Sequence, residues 1–491
     1  MEPMNRSLSD GSTVAAVSTP AGSGGIAVIR ISGPEAFHIA GVLWKGKALD
    51  SIPSHSVRLG TLTDESGEAL DQVVATVYRA PNSYTGEDTV ELSLHGSPWL
   101  QRRALVALVA AGAEPAPAGE FTRRAFLNGR LDLAQVEGVA DLIAADSRAS
   151  ARVALRQVSG SFSYCLAEMR ERLVELASLL ELELDFSEED VEFADRKALR
   201  SEAEELRQDI RRLAHSYRRG RIYKEGLPVA LAGVPNAGKS SLLNILLEEE
   251  KALVTDIPGT TRDIIEDTVE IDGLLMRFFD TAGLHTTDDP VERLGIDRAR
   301  DRIRRAAAVL WLIDPTQPLE PQLKEMRETD IGEARLIPVL TKEDINTPLS
   351  PSNARKGLDE EESLRIHEIL QKQESLDEEE SLRIHEILQR AISISSRTGA
   401  GIDRLRHELR AIPGDEENPG ETLVSNLRHY RELTEALPYL DRLLDGLDTS
   451  LPTDLLAMEL RGAIRHLSAI LGTIDNETLL STIFSRFCIG K

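Results

Sequence analysis

Short alternating or apolar runs mark the first quarter of the chain. Residues 13–17, 25–31 and 72–78 are such runs, separated by Gly, Pro and Ser turns, and short runs bounded by turn residues predict strands. This texture continues to about Asn128 and reads as a strand-rich α+β domain. From Leu131 to about Leu206 the spacing changes. Leu173, Leu176, Leu179, Leu180 and Leu182 recur at helical intervals, with charge on the other faces and almost no Gly or Pro, which predicts a helical bundle. From Gly226 to about Pro413, buried-strand runs at 228–232, 275–279, 307–313, 335–340 and 391–395 alternate with helical stretches. That is the βαβ texture of a parallel sheet. After the turn-rich stretch 413–420, helical spacing returns to the end. The expected domains are 1–128, 129–225, 226–413 and 414–491, with one bundle built from both sides of the α/β segment, which is then an insertion.

One local feature interrupts the α/β segment. Leu358–Gln371 and Leu376–Gln389 are the same fourteen residues, LDEEESLRIHEILQ. Two copies fall short of the three or so stacked units a solenoid needs, and their acidic runs predict a solvated surface helix or loop produced by duplication.

Composition narrows the function classes. The 491 residues carry 57 Lys and Arg against 82 Asp and Glu, a formal charge of −25, with a pI near 4.9. Such a surface repels phosphate backbones as a whole, so any contact with nucleic acid needs a local basic site or a partner. Two cysteines, Cys165 and Cys488, are too few for a secreted disulfide scaffold and too far apart in sequence for a metal knuckle. With no secretory h-region and no long apolar run, a soluble cytoplasmic protein without membrane contact is expected.

The sharpest chemical signal is Gly233-Val234-Pro235-Asn236-Ala237-Gly238-Lys239-Ser240, a P-loop between an apolar strand and a helix that continues through Ser241. Its glycines let backbone N–H groups surround phosphates, Lys239 reaches the β- and γ-phosphates, and Ser240 ligates Mg²⁺. Downstream residues choose among nucleotides. Asp280-Thr281-Ala282-Gly283 follows an apolar strand, where Asp280 holds the Mg²⁺ shell and the Gly283 N–H meets the γ-phosphate. Gly259-Thr260-Thr261-Arg262-Asp263 supplies a hydroxyl, Thr261, to the same shell. In Thr341-Lys342-Glu343-Asp344, Asp344 accepts from the two donors of the guanine edge, which adenine lacks. Ser395-Ser396-Arg397 can direct backbone N–H groups at guanine O6. Thr341 stands where most such GTPases carry Asn, and an amide tie between base and P-loop is lost.

Leu284 follows Gly283 where many GTPases carry a water-orienting Gln, so hydrolysis needs another device. Arg262 is an arginine-finger candidate, with a structural ion pair as its other reading. Asn236 offers a neutral oxygen of the kind that suits a monovalent cation.

The order of motifs resembles the MnmE (TrmE) family of tRNA modification GTPases, of the TrmE-Era-EngA-like class, over nearly the whole chain. The resemblance rests on TPAGSGGIAVIRISG (19–33), PNSYTGEDTVEL (81–92), GEFTRRAFLNGRLDLAQVEGVADLI (119–143), GVPNAGKSSLLN, TDIPGTTRD, DTAGL, VERLGI and the terminal FCIGK. It implies a multidomain fold: an α+β folate-binding-like N-terminal domain that dimerises, a discontinuous α-helical bundle, and an inserted α/β P-loop G domain. It also implies a homodimer working with a flavin-dependent partner of the MnmG/GidA type as a heterotetramer. Together they place a carboxymethylaminomethyl or aminomethyl group on C5 of the wobble uridine of certain tRNAs.

Carried over by position, the resemblance makes Arg30, Glu91, Arg130 and Lys491 contacts of 5-formyl-tetrahydrofolate or another one-carbon tetrahydrofolate. Cations suit the folate glutamate and a carboxylate suits the amino-pyrimidine edge; without the family, Arg130 reads equally as a surface arginine at a helix start. Cys488 matches a functionally important family cysteine, and the small buried hydrophobe stands beside that reading. Nucleotide contacts extend over Thr255, Asp256, Ile257, Pro258, Gly259, Thr260 and Thr261. Potassium falls to Asn236, Thr255, Ile257 and Thr260, supplying between two facing G domains the charge an arginine finger would bring. Glu292 takes the position that orients water; from the residues alone it reads as a surface carboxylate. A regulatory or ribosome-assembly GTPase without modification chemistry is the competing class, and the N-terminal segment and FCIGK argue against it.

Overall fold

The structure, a computed structural model, describes residues 11–185, 195–251, 267–280, 299–344, 387–414 and 422–472, with 483, 484, 487 and 490. Two compact units make up the chain. One comprises Met1–Ile143, Leu155–Gln208 and Glu432–Lys491; the other comprises Ala144–Ala154 and Asp209–Arg431. No helix among the described residues is long and apolar enough to cross a membrane.

In the first unit these short runs become a seven-stranded sheet. Its strands are β1 (Val14–Val17), β2 (Ala27–Ser32), β3 (Trp44–Lys45), β4 (Ser56–Thr63), β5 (Ala69–Tyr78), β6 (Thr89–Leu94) and β7 (Glu114–Pro115), in the order β3-β4-β5-β6-β2-β1-β7. All neighbours are antiparallel except β1 and β7. Alternation sends Ile29, Ile31, Val90 and Leu92 into a core closed by helices Ala36–Val42 and Pro98–Ala110, through Ile39, Ala104 and Leu108. The same alternation leaves Arg30 of β2 directly opposite Glu91 of β6 on the polar face, a cross-strand charge pair.

Helical spacing in the first unit produces Ser161–Asp185 and Thr453–Leu471, which pack on each other. Arg461 Nη2 lies 2.7 Å from Glu181 Oε1, 280 positions away in sequence, and Arg170 Nε donates to Ser468 Oγ at 2.9 Å. Near the chain end, Phe484 and Phe487 join Leu133 and Val136 in a small apolar cluster. Gly490 has φ +95, and a Cβ there would meet Val17 O at 2.1 Å. The C-terminus therefore runs against the end of β1 at a position only glycine fits.

The second unit holds the sheet of β8 (Leu227–Gly233), β9 (Asp267–Ile271), β10 (Leu274–Asp280), β11 (Ala308–Ile313), β12 (Arg335–Leu340) and β13 (Ile392–Ser393), ordered β13-β12-β11-β8-β10-β9. Five strands are parallel, and apolar clusters cover the two faces. Strand β9 departs from the expected all-parallel sheet by pairing antiparallel with β10. The link is Asp272-Gly273 with φ 49 and 83, both positive, as a tight hairpin needs, whereas a parallel crossover takes a dozen residues or more.

The repeat is corrected at its end. Residues 358–386 lie outside the described residues, but 387–390 form a helical turn and Leu388 is 3% exposed, in a core with Trp311, Leu340 and Ala391. A leucine entered that core because this copy abuts β13. Leu388→Ala should cost about 3 kcal/mol in urea unfolding. Deleting Leu358–Ser375, which leaves one intact copy joined to Arg390, should cost less than about 1 kcal/mol. Equal losses would show that the packing of Leu388 is not what separates the two copies.

Candidate functional site

Strand β8 ends at Gly233 and helix Lys239–Lys251 begins directly after the loop, between β10 and β11 at the carboxyl edge of the sheet. Open α/β sheets hold ligands there, because helix N–H groups and the helix dipole face outward. Gly233 (φ +134) cannot carry a side chain, since a Cβ would lie 2.4 Å from Leu312 O. Asn236 and Gly238 are also left-handed, at φ 62 and 101, and alternating left-handed residues turn backbone amides into an anion-binding nest. Lys239 Nζ donates to Gly233 O at 2.7 Å and Val234 O at 3.1 Å, which holds the ammonium over the loop. Asn236, Ser240 and Ser241 are exposed, and Ala237 is buried beneath them. The nest and the exposed Ser240 hydroxyl at a helix N-terminus fit a phosphate with its Mg²⁺, and the exposed Asn236 amide fits a monovalent cation.

The residues expected to read the base meet across the ends of β12 and β13. Ser395, fully buried, donates to Asp344 Oδ1 at 2.8 Å. The Arg397 and Thr398 N–H groups both donate to Ser395 Oγ at 3.2 Å. The Arg397 and Thr398 amides are thus engaged inside the loop, on the hydroxyl that donates to Asp344. The Arg397 guanidinium is 85% exposed and 4.0 Å from Asp344. Thr341 is buried and donates to Ile313 O at 3.1 Å, while a Cβ on Gly238 would find the Thr341 methyl 3.9 Å away. The Thr341 methyl is the nearest group to that position, and Thr341 offers no amide tie. Glu343 takes its place in the same turn, its N–H donating to Ile394 O at 3.2 Å.

Asp314 was not singled out by sequence. It follows the all-buried β11, is itself fully buried, and accepts from Lys342 Nζ at 2.5 Å and from the Thr316 hydroxyl at 2.7 Å. Burial pushes its carboxyl up, but Lys342, Thr316 and Gln317 outweigh that and hold it below its ordinary value. Because the folded pKa is the lower one, this contribution to stability is complete above the unfolded value and is lost as pH falls through the folded one. The anchor explains how Lys342 is held at φ +59. An acidic residue closing a wholly apolar run was the available signal.

In the first unit Arg30 Nε and Nη2 both lie 2.8 Å from Glu91 Oε1. The guanidinium sits over the rings of Tyr84 and Phe121, at 5.2 and 5.4 Å, and Tyr78 donates to Glu91 Oε2 at 3.5 Å. Burial first and the Glu91 charge second push the Tyr78 phenol up, so it stays a neutral donor. Arg30 and Glu91 thus form one unit instead of two separate contacts. Glu87 ties the loop 79–88 to helix Glu120–Leu127 through buried Arg124, at 3.0 Å, which also pairs with Glu120 at 2.9 Å. Arg130 is exposed, and its Cγ lies 3.2 Å from where a Cβ on Gly86 would stand. Tyr84 and Glu87 were missed as separate residues, although the stretch 81–92 was marked.

Thr255, Asp256, Ile257, Pro258, Gly259, Thr260, Thr261, Arg262, Thr281, Ala282, Gly283, Leu284, Glu292, Cys488 and Lys491 lie outside the described residues, as do the side chain of Asp280 and most of the repeat.

The family model of the MnmE helical domain matches residues 133–488, and that of the GTP-binding protein TrmE N-terminus matches 13–130. The tRNA modification GTPase MnmE of Cytophaga hutchinsonii is 43% identical over 481 residues, covering 98% of either chain. That of Flavobacterium johnsoniae is 42% identical over 484 residues, covering 98% of this chain and 99% of its own. Among solved structures, Aquifex aeolicus Era with GDP.AlF4- aligns with 43% of this chain and 65% of its own, at 24% identity and a TM-score of 0.27.

Proposed function

The chain belongs to the MnmE family of tRNA modification GTPases, and from that premise we propose that its GTP hydrolysis, stimulated by potassium, serves the addition of a carboxymethylaminomethyl or aminomethyl group to C5 of wobble uridine. The chain acts as a homodimer with a flavin-dependent partner of the MnmG/GidA type. The segment 226–413 is a G domain inserted between the helical parts 129–225 and 414–491, behind a folate-binding domain at 1–128. A cytoplasmic location fits this chemistry.

Each residue has a task. The P-loop amides and Lys239 hold the β- and γ-phosphates, and Asp344, oriented by Ser395, selects guanine. Ser240 and Thr261 would hold Mg²⁺, with Asp280 in its outer shell, and Asn236, Thr255, Ile257 and Thr260 would hold K⁺; these ions supply positive charge against the phosphate oxygens. Thr281, Ala282 and Gly283 would serve the γ-phosphate, and Glu292 would orient the attacking water. Thr341, Lys342, Glu343, Ser396 and Arg397 frame the base. Arg30, Glu91, Arg130 and Lys491 would bind the one-carbon tetrahydrofolate, and Cys488 lies in the same terminal motif. The Arg30–Glu91 ion pair, floored by the Tyr84 and Phe121 rings, supports that placement.

The observation that carries the reading is the family match over 98% of the chain, and the test is nucleoside mass spectrometry of tRNA from cells lacking the protein. Loss of the C5 modification is expected; unchanged wobble uridines would overturn it. For the folate part, Arg30→Ala in the full-length protein should weaken reduced-folate binding by tenfold or more in calorimetry, through loss of a charge-assisted contact of about 1.5–3 kcal/mol. Unaltered affinity removes Arg30 from the site.

A further inference from the structure

At the amino edge of the second unit's sheet, opposite the P-loop, lies a cavity of about 740 Å³. Its position follows from its walls: Gly226 and Pro228 open β8, Ala307 precedes β11, and Glu333 precedes β12. Six arginines line it, Arg218, Arg221, Arg277, Arg302, Arg304 and Arg305, against two carboxylates, Glu225 and Glu333. The lining residues carry an excess of four positive charges, three once Asp330 beside Arg304 is counted, in a chain whose formal charge is −25.

The carboxylates do not neutralise this cluster. Arg218 and Glu333 are 3.5 Å apart with side chains 67% and 90% exposed, and Arg221 and Glu225 are 3.5 Å apart at 49% each. Exposed pairs of this kind contribute little and exchange readily for a stronger anion. Arg304 reaches Asp330 at 3.0 Å, also in the open, and Arg305 has no ion-pair partner among the described residues. Arg277 and Arg302 flank the Phe279 ring, at 5.7 and 5.9 Å, a cation–π arrangement that orients the guanidinium planes, and Arg277 Nη1 also donates to Glu225 O at 3.4 Å. Tyr217, on the cavity wall, stacks on Tyr430 with centroids 4.6 Å apart and planes 17° apart.

Guanidinium groups gathered from a helix, a strand and a helical stretch match the spaced oxygens of successive phosphates, which they bind bidentately. An aromatic wall beside them suits a base turned out of its stack, and the volume lies in the range that takes one nucleotide, roughly 300–1,000 Å³. We propose that this cavity is an RNA-binding site, holding the backbone of the tRNA substrate at its arginine rim with one unstacked nucleotide against Tyr217. It rests on the reading of tRNA as substrate, and it locates on this acidic chain the basic surface which that substrate needs.

The test is fluorescence anisotropy of labelled unmodified tRNA with the full-length protein from 50 to 200 mM salt. The triple variant Arg218→Gln, Arg304→Gln, Arg305→Gln should bind at least tenfold more weakly at low salt. Its slope of log affinity against log salt should flatten by about two to three, at roughly 0.7–0.9 per phosphate contact. The matching Lys triple variant should keep most of the slope, and RNA-free GTP hydrolysis should be unaltered in both. Unchanged affinity and slope in the Gln variant would overturn the site, and would leave the arginines to an acidic protein surface. Displacement of tRNA by micromolar inorganic pyrophosphate at matched ionic strength would also overturn it, in favour of a small-anion pocket. If the wild-type protein binds no tRNA the site falls as well, while nucleoside mass spectrometry still judges the modification chemistry by itself.

Discussion

Asp344→Asn should lower GTP turnover at subsaturating substrate by about a hundredfold and transfer preference to xanthosine triphosphate. Two charge-assisted hydrogen bonds to guanine are lost, at about 1.5–3 kcal/mol each, and the new amide directs a donor at a donor. Xanthine carries an oxygen where guanine has its amino group and accepts from that amide. Ser395 Oγ, 2.8 Å from the carboxylate, fixes the side chain, so Ser395→Ala should produce a smaller loss with the same preference for GTP. Competition between GTP and xanthosine triphosphate in a steady-state assay decides it. Comparable turnover of ATP and GTP by the wild-type protein would remove Asp344 as the reader of the base.

Hydrolysis should run roughly ten- to a hundredfold faster in potassium than in sodium, the scale of one transition-state charge contact. Leu284 cannot position water, and Asn236, exposed at φ +62 within the P-loop, presents a neutral ligand to a cation beside the phosphates. The rate per chain should rise with protein concentration, because two G domains must meet. Asn236→Lys replaces the cation's charge and should abolish the potassium dependence. Glu292→Ala should slow turnover and spare GTP binding, measured with a fluorescent nucleotide. Equal wild-type rates in the two salts across the concentration range would sink the cation mechanism and turn attention to Arg262.

The P-loop could be read from sequence because its chemistry is local. Gly233, Asn236 and Gly238 sit within one turn of chain, their left-handed geometry is set by residue type, and their spacing from Lys239 and Ser240 is covalent. Asp344 and Ser395 were each recognisable from the strand they follow. That one hydroxyl orients the other carboxylate was not, since the contact crosses 51 positions. Asp314 escaped because a single acidic residue after an apolar run has many uses, and only the approach of Lys342 selects one.

The sequence by itself determined the elements: short alternating or apolar runs became β1, β2 and β5, longer apolar runs became β8, β10, β11 and β12, and leucine spacing became long helices. Steric preference and side-chain periodicity act over a few residues, so they are written in a few residues. Tertiary structure alone decided what those elements bring together. Register across β2 and β6 put Arg30 on Glu91, the end of one repeat copy became core at Leu388, and Gly490 met Val17. Six arginines from 218 to 305 became one cavity. These meetings depend on apolar burial summed over segments far apart in the chain, each contact small beside the total, and no local pattern records which surfaces that sum will join.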